Sequence, residues 1–367
     1  MFEYYNINSG KKEVEDAVKV NTLEHLHAFK HSDTYESINK IIIPIELFEE
    51  SEIHTLFFIG KTLILDCTEI TNVDDVIVNP MIGGVYGVEE IPINREVTNH
   101  ESIPNKICHI NVNEILLHNE HSIEETIIDS LKKVWTYFIA FNICNLPSYL
   151  DNDTMISLYK SVAQTFGSIT KCFPVNKLNA TKVISRDIKY TPNIQHFYAS
   201  NIRQPFHNDY AHYPIDMAPD WLMLYSLEQS KYGGITSLIS IDTVKEILEE
   251  FNPALLEKIS DLDVTYSYFI KDRTIQHRKK LLTSNMSNWN YFQIKEEYNS
   301  EEIMSIRTEF FKFLEDTIVA GQIYDFSKNW KRGDCVIFND HRMMHCRSAF
   351  LGSRWLKDYA FKDNILM

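Results

Sequence analysis

The sequence predicts a mainly β fold with flanking helices, a barrel or jelly roll preceded by a β-rich extension. Three observations lead there. Short β-branched and aromatic runs recur from Trp221 to Phe361, separated by turns such as Tyr232-Gly233-Gly234 and Arg332-Gly333-Asp334. The helical patterns are grouped at one side and do not alternate with strands, which argues against a Rossmann-type sheet. His207-Asn208-Asp209 and His345 lie 138 residues apart, and a jelly roll makes neighbours of strands that distant.

Taken in order, residues 1–118 read as a β-rich extension or small domain of unknown role, and residues 119–367 as the main domain. In the first part, Leu56–Ile59, Thr62–Leu65 and Val76–Val78 have strand character. The glycines of Met81–Gly87 lack the context of a phosphate loop and read as a turn. His25, His27 and His31 lack an evident carboxylate or cysteine partner. Ser122 and Glu125 form a capping box ahead of Ile123, Ile127, Leu131 and Val134 at helical spacing. Trp135–Ile143 reads as a buried strand, with a continuation of the helix as the alternative that periodicity leaves open. Asp151 or Asp153 caps a helix presenting Met155, Leu158, Val162 and Phe166, which Gly167 ends.

Trp221–Leu227 and Ile235–Ile241 are strands, and Asp242 caps a helix stopped by Asn252-Pro253. Val264, Tyr266, Tyr268 and Ile270 alternate as in a half-buried strand. Lys271–Lys280 is a basic island, read as a solvent-facing hairpin or a lid, and Ser287–Phe292 as a hairpin beside the pocket. Ser300 caps a helix ending before Gly321. Cys335–Phe338 and Trp355–Phe361 complete the strands.

Composition narrows the function. The chain has 367 residues, 44% of them hydrophobic, and a formal net charge of −15. That charge disfavours a nucleic-acid partner, which needs a basic footprint. No apolar run approaches the roughly 20 residues that span a bilayer, and Met1–Tyr5 does not resemble a signal peptide. The six cysteines form no Cys-x-x-Cys pair, so reduced thiols and a cytoplasmic location are expected. Oligomeric state is not legible.

His207 and Asp209, two apart on an extended strand, would project to one face. With a third ligand they match the two-His-one-carboxylate triad of non-haem iron(II), which leaves three positions open. A zinc hydrolase accepts the same residue types with one open position. A 2-oxoglutarate cosubstrate would in addition need an arginine for its distal carboxylate, and Arg354, with help from Thr236, is placed to serve.

These motifs resemble the taurine dioxygenase (TauD/TfdA) family of iron(II)/2-oxoglutarate oxygenases, over about residues 120–367. The matching residues are His207-Asn208-Asp209, Gly233-Gly234-Ile235-Thr236, Asp242, Gly333-Asp334, Asn339, His345, Arg347 and Arg354. The resemblance implies a double-stranded β-helix (jelly roll) core, with His207, Asp209 and His345 as catalytic iron ligands. His345 is preferred to His341 because the motif puts the ligand there. Thr236 and Arg354 would hold 2-oxoglutarate, and O2 would be the oxidant.

The implied reaction is hydroxylation of a small polar metabolite, an amino acid or natural-product intermediate, by hydrogen abstraction with release of succinate and CO2. Asp209 fills a position where related halogenases have a small residue. Desaturation or another oxidative rearrangement is the alternative at the same site. A non-catalytic jelly-roll binding protein and a zinc hydrolase are the alternatives of other classes. His196, Tyr198, Arg203, Tyr210, His212 and Arg347 are the candidate substrate-pocket residues. Asn208 stands where threonine is common, with a side chain expected to point away from the metal and to matter little.

Overall fold

The computed structural model describes residues 2–6, 11–15, 17–20, 23–30, 32, 40–44, 62–66, 88–92, 106–116, 122–171, 184–189, 200–201, 203–230, 232–260, 262–270, 273–321, 323–348, 350–351 and 353–363. Its centre is a seven-stranded sheet facing a four-stranded one. In the larger sheet the order is Asp187–Lys189, Trp355–Asp363, Trp221–Glu228, Cys335–Asn339, Ala140–Cys144 and Ile107–Asn111, with Gly167–Ile169 also on the Trp355 strand. The smaller sheet runs Gln204–His207, Met343–Arg347, Thr236–Ser240 and Phe326–Lys328.

Period-two alternation divides these strands between three apolar layers. Leu222, Leu224, Val336, Phe338 and Ala360 of the larger sheet meet Leu238 and Met343 of the smaller one between the sheets. Trp221, Met223, Tyr225, Ile337 and Tyr359 point the other way, onto the helices Ile123–Val134 and Asn152–Phe166. Ile239, Met344 and Cys346 face the helices Ile241–Phe251, Pro253–Ile259 and Glu301–Phe313. Because both faces of each central strand are covered, Trp221–Glu228 is buried along all but its last residue. The helices therefore flank both sheets, not one side as expected.

Local signals account for most of the helix boundaries. The Ser122–Glu125 capping box is reciprocal, at 3.2 and 3.0 Å. Asp151 and Ser300 cap their helices. Asn252 both ends one helix and caps the next, with Pro253 in its first turn. At the helix expected to start at Asp242 the cap is Ser240, whose Oγ accepts from the Thr243 amide at 3.1 Å. Asp242 lies in the first turn, where a carboxylate favours the positive end of the helix dipole.

Trp135 is the helix C-cap and not part of a strand; the strand starts at Ala140. Its indole stacks on Phe141 at 4.9 Å and Phe166 at 4.2 Å, joining the helices to the sheet. The two strands Ile107–Asn111 and Ala140–Cys144 are parallel neighbours joined through that helix. This is a βαβ unit, against the expectation that helices and strands do not alternate, and it places sheet residues before position 119.

The described part of the basic island, Arg273–Lys280, is one arm of a hairpin with Asp263–Ile270. Lys279 is an exception to the solvent-facing expectation: it is buried, with Nζ donating to Ala211 O and Tyr213 O, both at 3.0 Å. In the loop 287–292, Trp289 is fully buried against Phe310 while Phe292 is exposed. Upstream, the described strands form a six-stranded mixed sheet, in the order Lys11–Glu15, Phe2–Asn6, Val88–Pro92, Thr62–Asp66, Lys40–Pro44 and Ala17–Lys19. Leu56–Ile59, Val76–Val78, Met81–Gly87 and His31 lie outside the described residues. No helix among the described residues is long and apolar enough to cross a membrane.

Candidate metal centre

The smaller sheet builds the site by register. His207 lies directly opposite His345, and His345 opposite Leu238, so the two imidazoles stand side by side with ring centroids 4.1 Å apart. The strand ends at His207, and Asp209 sits in the turn beyond it. Asp209 still returns to the same place, with Oδ1 3.0 Å from His207 Nε2 and 3.7 Å from His345 Nε2. Among the described residues these three form a metal-competent group, their ligand atoms all within 4.8 Å of one another.

The turn is held by Asn208 and Asp340. The Asp340 carboxylate accepts the amides of Asp209 and Tyr210, both at 3.1 Å. Asn208 does point away from the metal-competent group, but it carries more than expected. Its Oδ1 accepts from Ser287 Oγ at 2.7 Å and the Trp289 amide at 2.8 Å. Its Nδ2 donates to the carbonyls of Asp340 and Met343. Asn208 thus ties the ligand turn to two separate loops.

Electrostatics favour cation binding. Burial alone would raise the Asp209 carboxyl, but the hydrogen bond with His207 and the nearby Arg186 guanidinium hold it well below its usual range. Burial, helped by His207, Arg186 and Arg347, lowers His345 to about 3 despite Asp209. Its imidazole is therefore neutral and able to ligate. His207 Nδ1 lies 2.8 Å from Pro205 O, an outer partner that would orient the ring if a metal replaced the Nε2–Asp209 hydrogen bond. Burial and the Asp209 charge raise Asp340 to about 6.

Arg354 is buried, and its Nε has no hydrogen-bond partner among the described residues. It passes close to Gly234, where an added Cβ would stand 3.1 Å from Arg354 Cδ and Nε. Gly234 also has φ +71°, so a glycine is required twice over. Thr236 Oγ1 accepts from Trp330 Nε1 at 2.9 Å, which leaves its own hydroxyl proton to donate elsewhere. A buried guanidinium lacking an anion and a hydroxyl set as donor suit a carboxylate ligand.

The other expected pocket residues divide. Arg203 is committed to a buried pair with Glu315 (NH2 to Oε1 3.0 Å) in the π-helical turn Leu314–Val319, and so braces the His207 strand. Tyr210 is buried, its ring between Arg186 and Tyr213. His212 packs on Tyr213, and burial lowers it to about 4. Arg347 is buried across from Thr236 and donates to Ser200 O at 2.9 Å. His341 faces Asp220 at 3.6 Å, away from the metal-competent group. His196 and Tyr198 lie outside the described residues.

Sequence reasoning missed Arg186, Asp340 and Trp330. Arg186 bridges Asp209 and Asp358, from a position just before an edge strand that carries no motif. Asp340 acts through backbone amides 130 and 131 residues away in the chain, a pairing no local pattern signals.

Residues 109–359 match the model of the taurine catabolism dioxygenase TauD, TfdA family. No curated protein sequence matches the chain. Among solved structures, an asparagine oxygenase in complex with Fe(II), 2S,3S-3-hydroxyasparagine and succinate is similar at 12% identity and TM-score 0.51, covering 70% of this chain and 93% of that one. A variant of the non-heme iron oxygenase OrfP in complex with (3S)-hydroxy-L-Arg is similar at 12% identity and TM-score 0.49, covering 70% and 95%. The first likeness shows a shared fold.

Proposed function

The chain belongs to the TauD/TfdA family and is a 2-oxoglutarate-dependent non-haem iron dioxygenase, and from this we propose that it hydroxylates a small polar metabolite, with free amino acids as the substrate class. The observation that carries the reading is the convergence of His207, Asp209 and His345 within 4.8 Å. Two imidazoles and one carboxylate on one side of an ion are the donor set of iron(II) oxygenases and leave room for a chelating cosubstrate. Iron(II) with 2-oxoglutarate and O2 supplies an oxidant able to take hydrogen from a C–H bond, with succinate and CO2 released.

The protein's part is to bind, orient and keep water out. His207, Asp209 and His345 would hold the iron. Arg354 and the Thr236 hydroxyl would hold the distal carboxylate of 2-oxoglutarate, Arg354 through its unpartnered N–H groups. Tyr210, His212 and Arg347 are the described pocket candidates for the substrate. Asp209, a carboxylate where a halide would otherwise need space, favours hydroxylation. The neighbour solved with 3-hydroxyasparagine is the reason to begin with amino acids. We further propose a jelly-roll topology for the two facing sheets, and a domain division near residue 106 rather than 118, because Ile107–Asn111 is part of the larger sheet.

The test is succinate release from 2-oxoglutarate by iron(II)-loaded protein across the amino acids and small amines. Substrate-dependent succinate and a hydroxylated product of added mass are expected. Arg354→Ala should weaken 2-oxoglutarate binding by at least ~100-fold, since a buried charge-assisted carboxylate contact is worth about 3 kcal/mol. Unchanged binding in that variant would overturn the cosubstrate assignment.

A further inference from the structure

We propose that Arg186 is a positioning residue that restrains Asp209 Oδ2, so that the carboxylate presents Oδ1 alone to the metal. The proposal rests on the reading of Asp209 as a ligand. The two carboxylate oxygens are in unlike surroundings: Oδ1 faces His207 Nε2 at 3.0 Å and His345 Nε2 at 3.7 Å, whereas Oδ2 accepts from Arg186 at 3.1 Å.

The distinction matters chemically. A carboxylate that binds through both oxygens takes two coordination positions. A centre that must also accept a chelating keto acid and O2 has three positions beyond its protein ligands and none to give up. An arginine on the outer oxygen opposes that second attachment, because the metal would have to displace a charge-assisted hydrogen bond.

Arg186 is itself fixed. Its amide donates to Asp358 Oδ1 at 2.7 Å and its Nε to Asp358 Oδ2 at 2.6 Å. Asp358 is 1% exposed and sits on the last strand, four residues after Arg354. The guanidinium fork thus serves two carboxylates at once, a geometry a lysine point charge cannot reproduce. Through this chain of contacts the strand that follows the cosubstrate arginine also sets the attitude of the metal carboxylate.

The test uses the full chain and cobalt(II) as a spectroscopic metal. Removing Arg186 alone would leave Asp358 buried and unpaired, so the informative variant is Arg186→Met combined with Asp358→Asn, which removes both charges. We expect it to melt near the wild type yet bind cobalt(II) roughly 10–100-fold more weakly, the usual effect of losing an outer partner of a metal ligand. Its ligand-field spectrum should shift, and the further change on adding 2-oxoglutarate should be lost or need more cosubstrate. Arg186→Lys should restore part of the affinity, which a packing role would not produce. Wild-type affinity and spectra in the folded double variant would overturn the proposal. Wild-type protein that takes cobalt(II) no better than His207→Ala would instead overturn the ligand assignment beneath it.

Discussion

His345 shows how burial sets the state of a single residue. With its pKa lowered to about 3 from 6.5 by burial first, the folded protein keeps the imidazole neutral where the unfolded chain takes up a proton. Between those values the unfolded state binds more protons, so stability rises with pH. The contribution is complete above about pH 6.5 and is lost as pH falls toward 3. Urea denaturation of the metal-free protein at pH 7 and pH 4 should show a larger loss for wild type than for His345→Gln; equal losses would contradict the assignment. Thr236 offers a second test. Thr236→Val removes the acceptor of the Trp330 N–H and the proposed donor to the cosubstrate. It should weaken 2-oxoglutarate binding about 10-fold and cost about 1–3 kcal/mol of stability, read by calorimetry and melting.

Among the elements, the junction around Trp135 and Gly167 holds the helices Ile123–Val134 and Asn152–Phe166 to the larger sheet. Trp135 lies within 4.9 Å of Phe141, Phe166 and Trp221, ring centre to ring centre. Trp135→Ala should cost about 3–5 kcal/mol without altering cobalt(II) binding, because the proposed ligands belong to the other, smaller sheet. Gly167 has extended backbone, so its need is not for a left-handed turn. An added Cβ would lie 2.0 Å from Lys362 O, a backbone atom of the neighbouring strand. Gly167→Ala should therefore destabilise by at least ~1–3 kcal/mol, checked by thermal melting. Trp135, expected in a strand, is instead a helix C-cap, whereas Gly167 ends its helix as expected. The structure adds that each is also a close approach between elements far apart in the chain.

On the scale of the whole molecule, the proposed ligands His207 and His345 lie 138 residues apart in the sequence, on adjacent strands of one sheet. An ion bound there ties the two segments together in the folded state alone, so it stabilises by mass action. At about 100 times its dissociation constant the gain is roughly 2.7 kcal/mol. Adding manganese(II) or iron(II) anaerobically should raise the melting temperature, EDTA should reverse it, and His207→Ala should abolish the shift. The two facing sheets make this possible by burying both imidazoles on the inner side, where Phe338 of the larger sheet packs against His345 at 5.1 Å.

The sequence by itself pointed to the proposed centre: the His207-x-Asp209 pair by residue type and spacing, and His345 in place of His341, with Thr236 and Arg354, by resemblance to the family motif. Residue type and short spacing are legible without a structure; which distant histidine joins the pair was supplied by the motif. The sequence also located most helix caps, because capping is settled within four residues. Only the tertiary structure decided that Arg186 grips Asp209 and Asp358 and that Arg203 is spent on Glu315. The same holds for Asn208 as an anchor for two loops and for a Trp330 that orients Thr236. Each of these pairings brings together charges or donors that are distant in sequence, and which partner a buried polar group finds depends on how the sheets stack.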